Sequence, residues 1–144
     1  MHSQWQNLRF GKKAEDLAAR IYISRGFKIL ARNFCNKTGK RMGEIDIVAA
    51  RGREIRFVEV KCRTSDAFGE DLEILTRAKL ARFRKISAYY LKMHAACNYF
   101  RPHFDFVFVA MPHAALPQGS DGCQPPVDKK LIRVKIYSDV MIDL

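Results

Sequence analysis

The sequence Gly43-Glu44-Ile45-Asp46-Ile47-Val48-Ala49-Ala50 is followed by Arg51-Gly52-Arg53 and then by Glu54-Ile55-Arg56-Phe57-Val58-Glu59-Val60-Lys61-Cys62-Arg63. Both arms alternate along their length and are rich in Ile and Val, and the segment between them contains a glycine. This pattern predicts a β-hairpin, because β-branched residues favour strands and glycine favours the tight turn that joins them.

The alternation assigns the side chains of the hairpin to faces, since successive residues of a strand point to opposite sides of the sheet. In the first arm, one face is expected to carry Ile45, Ile47 and Ala49, and the other Glu44, Asp46 and Val48. In the second arm, one face is expected to carry Val58, Val60 and Cys62, and the other Phe57, Glu59 and Lys61.

A two-residue turn at Gly52 and Arg53 would place Asp46 opposite Glu59, and Glu44 opposite Lys61. Like charges that face each other across a strand pair destabilise it. A hard divalent cation would explain such a pair, because Mg²⁺ is typically held by one or two carboxylates together with substrate phosphates and water. The simpler alternative is a solvated strand face, on which acids and lysines often alternate.

The composition indicates one globular domain with a polyanionic partner. The chain has 144 residues, of which 48% are hydrophobic and 28% charged, and its formal net charge is +11. An excess of positive charge favours nucleic acid or an anionic membrane surface as a partner. We expect a cytoplasmic protein with no membrane association, because no apolar run approaches the length of a membrane span and the N-terminus lacks a signal-peptide pattern.

The cysteines and histidines give no sign of a disulfide framework or a zinc site. The four cysteines are dispersed without a Cys-x-x-Cys spacing, and the four histidines form no pair at metal-binding spacing. We therefore expect reduced thiols and no structural zinc.

The remaining elements follow from periodicity and turn residues. Helical spacing of apolar residues predicts helices over residues 11–25 and 76–94. Strands are predicted over residues 27–34, 103–110 and 131–137, and residues 111–130, with four prolines, are predicted to form a long loop. Glu15 lies at the border of the first helix's apolar face, where an acid in the first turn could simply complement the helix dipole.

The second predicted helix is strongly basic. No acid occurs between Glu73 and Asp105, and seven bases lie in that interval: Arg77, Lys79, Arg82, Arg84, Lys85, Lys92 and Arg101. A run of charge is often only a solvated helix face. Seven bases without a compensating acid favour a helix that contacts phosphates.

Taken together, these segments resemble the bacterial YraN family, which is related to Holliday-junction resolvases and to restriction-endonuclease-like, or PD-(D/E)xK, nucleases. That class carries an acid on one strand and (D/E)-x-K on the next. The likeness extends in order over nearly the whole chain, through Gly11-x-x-Ala14-Glu15, residues 43–48, residues 57–63, Phe68-Gly69, Lys79 and Phe104-Asp105.

The resemblance implies a single α/β domain over residues 1–144. Its expected architecture is a restriction-endonuclease-like core in the order αβββαββ, with helices flanking a mixed β-sheet. It further implies that Asp46 and Glu59, with the Val60 carbonyl, hold Mg²⁺ or Mn²⁺. Lys61 would orient the attacking water or stabilise its hydroxide form, and Glu15 would complete the acidic cluster. Glu44 would be either a further ligand or the ion-pair partner of Lys61.

The predicted function is metal-dependent endonuclease cleavage of DNA, in particular of branched DNA. Contacts to the nucleic acid are expected from Lys79, Arg82, Lys85 and Arg63, and a homodimer is left open. One alternative is a non-catalytic nucleic-acid-binding module on a nuclease scaffold. Another is a basic protein that binds membranes or acidic partners, although this leaves the facing carboxylates unexplained.

Overall fold

The structure, a computed structural model, describes residues 2–63, 75–111 and 132–140, with side chains from Leu8 onward in the first range. Two α-helices and five strands account for most of it: α1 (His2–Ser24), β1 (Lys28–Cys35), β2 (Glu44–Arg51), β3 (Glu54–Arg63), α2 (Arg77–Met93), β4 (Arg101–Ala110) and β5 (Arg133–Tyr137). A short 3₁₀ helix, Ala95–Cys97, follows α2. The predicted α/β class with a mixed sheet is confirmed.

The five strands form one sheet in the order β1-β2-β3-β4-β5. Neighbours are antiparallel except for β3 and β4, which pair in parallel along their whole length. A parallel pair needs a long crossover connection, and α2 lies in the connection between these two strands. The carboxyl ends of β3 and β4 therefore lie side by side.

The predicted hairpin and its register are confirmed. Arg51 pairs with Glu54, and Ile47 pairs with Val58, so Gly52 and Arg53 form a two-residue loop. Gly52 has a φ of 57°, a left-handed conformation that glycine adopts without steric cost. The last pair is Ile47 with Val58, and the same register continued by one position would set Asp46 opposite Glu59.

The sheet has an apolar core on each face. On the α1 side, the buried side chains include Ala14, Ala18, Tyr22, Ile47, Ala49, Val58, Val60, Val107 and Val109. On the α2 side, they include Ile45, Val48, Ile55, Phe57, Phe83, Ile86, Tyr90, Phe106 and Phe108. The second arm of the hairpin has the predicted faces, since Phe57 belongs to the α2 side and Val58 and Val60 to the α1 side.

The predicted faces of the first arm are wrong at one position. Ile45 packs on the α2 side with Val48, whereas Ile47 and Ala49 pack on the α1 side. Strict alternation would have kept Ile45 with Ile47. The alternation fails at Asp46, where β2 leaves its ladder with β3 and where the neighbouring strand contains Asn33, a residue with a φ of 50°.

The helix ends follow local signals. Gly26, with a φ of 84°, and a hydrogen bond from the Phe27 N–H to the Tyr22 carbonyl close α1 near the predicted stop. α1 begins at His2, before the predicted start at residue 11, and Phe10 in this additional part packs against the α1-side core. Thr76 caps α2 by accepting a hydrogen bond from the Lys79 N–H.

A buried polar network joins α1 to the sheet and to the segment after β5. The carboxylate of Asp105 is 1% exposed and accepts hydrogen bonds from the Tyr22 hydroxyl (2.6 Å), the Arg56 guanidinium (3.0 Å) and the Asp139 N–H (3.1 Å). Buried charges are tolerated when they are paired and hydrogen-bonded in this way. Burial and the Asp105 charge raise the pKa of Tyr22, which therefore stays protonated as the donor.

Cys35, Cys62 and Cys97 are free thiols, and Cys123 lies outside the described residues. The predicted loop of residues 111–130 is described only at Met111, and the predicted start of the last strand at residue 131 also lies outside. Among the described residues, no helix has both the length and the apolar character needed to span a bilayer.

Candidate functional site

A cleft of about 420 Å³ lies between the start of β2, the carboxyl-terminal half of β3 and the first three turns of α2. One wall carries acidic side chains from the strands, and the other carries bases from the helix. Its lining includes Glu44, Asp46, Glu59, Lys61, Thr76, Lys79, Arg82 and the buried rings of Phe83 and Phe106. Strand and helix segments that are distant in sequence are thus brought to one site.

Asp46 bridges the point where β2 and β3 separate. Its Oδ2 accepts a hydrogen bond of 2.7 Å from the Val60 N–H, although in a continued ladder Val60 would face Ile45. The side chain therefore takes the place of a backbone partner. Burial, reinforced by the charge of Glu59, raises the pKa of Asp46 to about 7.

Glu59 faces the cleft between two lysines. Its Oε1 lies 2.8 Å from the Lys61 Nζ and 3.9 Å from the Lys79 Nζ, and its side chain is 12% exposed. Burial alone would lower the pKa of Lys61, but the adjacent Glu59 carboxylate outweighs it and raises that pKa. The pKa of Lys79 is lowered by burial and by the nearby Lys61. Lys61 is therefore the more firmly protonated of the two.

Glu44 does not pair with Lys61, which was one of the two roles predicted for it; its role as a further metal ligand stays a prediction. Its Oε2 lies 3.3 Å from the Arg41 guanidinium, and its side chain, 39% exposed, lines the mouth of the cleft. The β2–β3 ladder ends at Ile47, so Glu44 is not held against β3. Lys61 instead reaches along its own strand to Glu59.

Glu15 is held by β1. Its Oε2 accepts a hydrogen bond of 3.0 Å from the Asn33 side chain and lies 3.6 Å from Arg32, and its charge adds to the rise in the pKa of Asp46. In the described ranges, no three His, Cys, Asp or Glu side chains are grouped so that they could hold a metal ion. The structure therefore brings Asp46 and Glu59 together as a pair, with Glu15 acting from the α1 side.

The predicted nucleic-acid contacts fall in three places. Lys79 and Arg82 line the cleft, whereas Lys85 is exposed on α2 outside it. Arg63 ends β3, with its guanidinium 5.9 Å from the centre of the Phe108 ring. Asn33 was not among the predicted site residues, although an asparagine within a strand pattern is a recognisable sign of irregular backbone.

A sequence profile of the group described as Uncharacterised protein family UPF0102 matches residues 14–109. This segment runs from the buried part of α1 nearly to the end of β4 and contains all the described residues that line the cleft. The chain belongs to the UPF0102 family. The resemblance to YraN is thereby confirmed, whereas the kinship with resolvases and restriction-endonuclease-like nucleases stays a prediction.

Several UPF0102 proteins show the extent of the similarity. The chain is 36% identical to a UPF0102 protein of Rhodococcus opacus (strain B4) over 112 residues, which cover 78% of this chain and 91% of the relative. It is 41% identical to one of Syntrophus aciditrophicus (strain SB) over 107 residues, which cover 74% of this chain and 80% of the relative. With one of Moorella thermoacetica it shares 44% identity over 84 residues, covering 58% and 66%.

Proposed function

We propose that this UPF0102 protein is a metal-dependent endonuclease that hydrolyses phosphodiester bonds in DNA. The observation that carries the proposal is the convergence of Asp46, Glu59 and Lys61 in one cleft whose opposite wall is basic. The order of these residues along β2 and β3 fits the acid and (D/E)-x-K pattern of restriction-endonuclease-like nucleases. The preference for branched DNA rests on the resemblance to resolvases.

The donor set at the cleft fits a hard divalent cation. Asp46 and Glu59 supply carboxylate oxygens, the Val60 carbonyl supplies a third, and oxygen donors of this kind suit Mg²⁺ and Mn²⁺. Burial, together with the charge of Glu59, raises the pKa of Asp46, so a bound cation would offset the cost of ionising this carboxyl group in the cleft. A bound cation would lower the pKa of a water molecule and stabilise charge on the phosphate.

Lys61 is suited to stabilise negative charge and not to abstract a proton. Its raised pKa keeps the ammonium group protonated near neutral pH, and Glu59 fixes its position at 2.8 Å. We propose that Lys61 orients the attacking water and stabilises its hydroxide form. Lys79 and Arg82, on the opposite wall, would hold the phosphates that flank the scissile bond.

The direct test is incubation of the purified protein with branched, flapped and linear DNA, in Mg²⁺, in Mn²⁺ and in EDTA. Cleavage that requires the cation supports the proposal, and a faster rate on junctions supports the preference for branched DNA. Tight binding without cleavage in any cation would instead favour the alternative, a non-catalytic nucleic-acid-binding module.

Cation binding should be visible as a rise in melting temperature. Linkage predicts about 2.7 kcal/mol of stabilisation when the free cation exceeds its Kd 100-fold, because only the folded chain presents both carboxylates. The change to test is Asp46→Asn, which should lose most of the response to Mn²⁺. The matched control is Asp16→Asn, because Asp16 is an acid of α1 that pairs with Arg32. This control variant should keep the full response to Mn²⁺. A parent protein that melts identically in EDTA and Mn²⁺ would contradict a metal site.

The basic surface of α2 should govern affinity for DNA. Arg82→Glu combined with Lys85→Glu should weaken binding to all sequences and flatten the slope of log K against log salt by about 0.9 for each phosphate that the protein no longer neutralises. Lys12→Glu combined with Lys13→Glu is the control, because it changes the net charge equally on exposed positions of α1. Equal effects of the two pairs would mean that only net charge matters.

A further inference from the structure

Asn33 occupies an unusual position in β1. The pairs that flank it are Arg32 with Ile47 and Phe34 with Ile45, so Asn33 lies opposite Asp46. Its φ of 50° falls in the left-handed region, which asparagine tolerates better than most residues. The irregular residue of β1 therefore faces the carboxylate residue of the cleft.

The irregularity reverses the faces of both strands at this point. Arg32 and Asn33 are consecutive, yet both contact acids of α1, at Asp16 and Glu15 respectively. Phe34 then packs on the α2 side, where its partner Ile45 also lies. In β2, Ile47 is on the α1 side, so the change of face falls at Asp46.

This reversal lets Asp46 reach its partner on β3. The carboxylate of Asp46 lies at the junction of β2 and β3, hydrogen-bonded to the Val60 N–H at 2.7 Å while lining the cleft beside Glu59. Glu15 accepts the Asn33 side-chain N–H at 3.0 Å and so ties the irregular backbone to α1.

We propose that Asn33 and Glu15 are positioning residues, a pair that holds the β1–β2 irregularity and thereby aims the Asp46 carboxylate at Val60 and the cleft. The inference rests on the proposed function for its catalytic meaning, but the geometry that it concerns can be tested without metal or DNA. It also gives Glu15 a different role from that of a member of the acidic cluster.

The test exchanges the two side chains of the hydrogen bond. Asn33→Asp places a carboxylate against Glu15 and removes the donor, so the Asp46–Val60 hydrogen bond should loosen. Adding Glu15→Gln restores the hydrogen bond in the reverse direction, since the amide at position 15 can donate to the carboxylate at position 33. The double variant also has the net charge of the parent. Glu15→Gln alone keeps an acceptor for the Asn33 side chain, so the protection of the Val60 amide should stay close to that of the parent.

The first measurement is the exchange rate of the Val60 amide hydrogen in the metal-free full-length protein, read by NMR with the Val58 amide as the internal reference for intact β3. We expect Asn33→Asp to lower the protection of Val60 about five- to tenfold, the size expected for the loss of one hydrogen bond. The double variant should recover to within about twofold. Arg32→Gln is the electrostatic control, since it changes the net charge by the same unit beside Glu15.

The second measurement is Mn²⁺ affinity by EPR of the free ion. A positioning role predicts that Asn33→Asp weakens Mn²⁺ binding and that the double variant restores it. Three results would overturn the inference: unchanged Val60 protection in Asn33→Asp, an equal loss in Arg32→Gln, or a loss of Mn²⁺ affinity in Glu15→Gln that the double variant does not repair. Recovery of Val60 protection in a protein that cleaves no DNA would support the inference and count against the proposed function.

Discussion

Replacing Lys61 with alanine is expected to slow metal-dependent DNA cleavage by about 10²- to 10³-fold, the usual effect of removing one preorganised group that stabilises developing charge. Lys61 is held 2.8 Å from Glu59 at the cleft, and its raised pKa keeps it cationic where the hydroxide would form. The measurement is single-turnover cleavage of the best substrate at saturating protein, with DNA affinity measured in parallel.

Folding and binding should be nearly unaffected by Lys61→Ala. The side chain is 38% exposed, and ion pairs as accessible as this one typically contribute no more than about 1 kcal/mol. Lys28→Ala is the matched control, because Lys28 is an exposed lysine on β1 away from the cleft. A Lys61→Ala protein that cleaves as fast as the control would show that Lys61 is merely a surface residue.

The metal-free protein is expected to lose stability on the order of 2–4 kcal/mol as the pH rises from about 4 to about 7, through Asp46 alone. Burial and Glu59 raise the pKa of Asp46 from 3.8 to about 7. Between these values the folded chain retains a proton that the unfolded chain has released. The free energy of unfolding therefore falls as the pH rises through this window. Above it, Asp46 is ionised in both the folded and the unfolded chain and causes no further change.

Asp46→Asn should remove this dependence and make the metal-free protein more stable than the parent at pH 8. The asparagine side-chain oxygen can still accept the Val60 N–H, so the hydrogen bond is kept while the charge is removed. The measurement is the free energy of unfolding by urea from pH 4 to pH 8 in EDTA, taken as the difference between parent and variant. Asp16→Asn controls for loss of an exposed acid, and a parent–variant difference that is constant with pH would contradict the raised pKa.

Much of the fold was predictable from local patterns. The alternation of residues 44–51 and 54–63, together with Gly52, predicted the hairpin and the register that sets Asp46 opposite Glu59. Apolar residues at helical spacing predicted α2 to within one residue at either end. These features depend on neighbours a few positions apart, so the sequence states them directly.

The candidate site was only partly predictable, because its details depend on where the strands stop pairing. The ladder of β2 with β3 ends at Ile47, so Glu44 is not held opposite Lys61. Glu44 pairs with Arg41, and Lys61 pairs with Glu59. The approach of Lys79 to Glu59 depends on how α2 packs against the sheet. The spacing of residues within one strand or helix does not show where two strands stop pairing or how a helix packs against the sheet.

The sequence by itself determined the elements, the hairpin register and the concentration of bases on α2. Only the tertiary structure decided the face of Ile45 and the partners of Asp46 and Glu15. The physical reason is that strand alternation holds only while the backbone stays extended, and β1 departs from this at Asn33, whose φ is 50° and which lies opposite Asp46. Glu15 is hydrogen-bonded to Asn33, so a contact between α1 and β1 determines how the Asp46 carboxylate is presented.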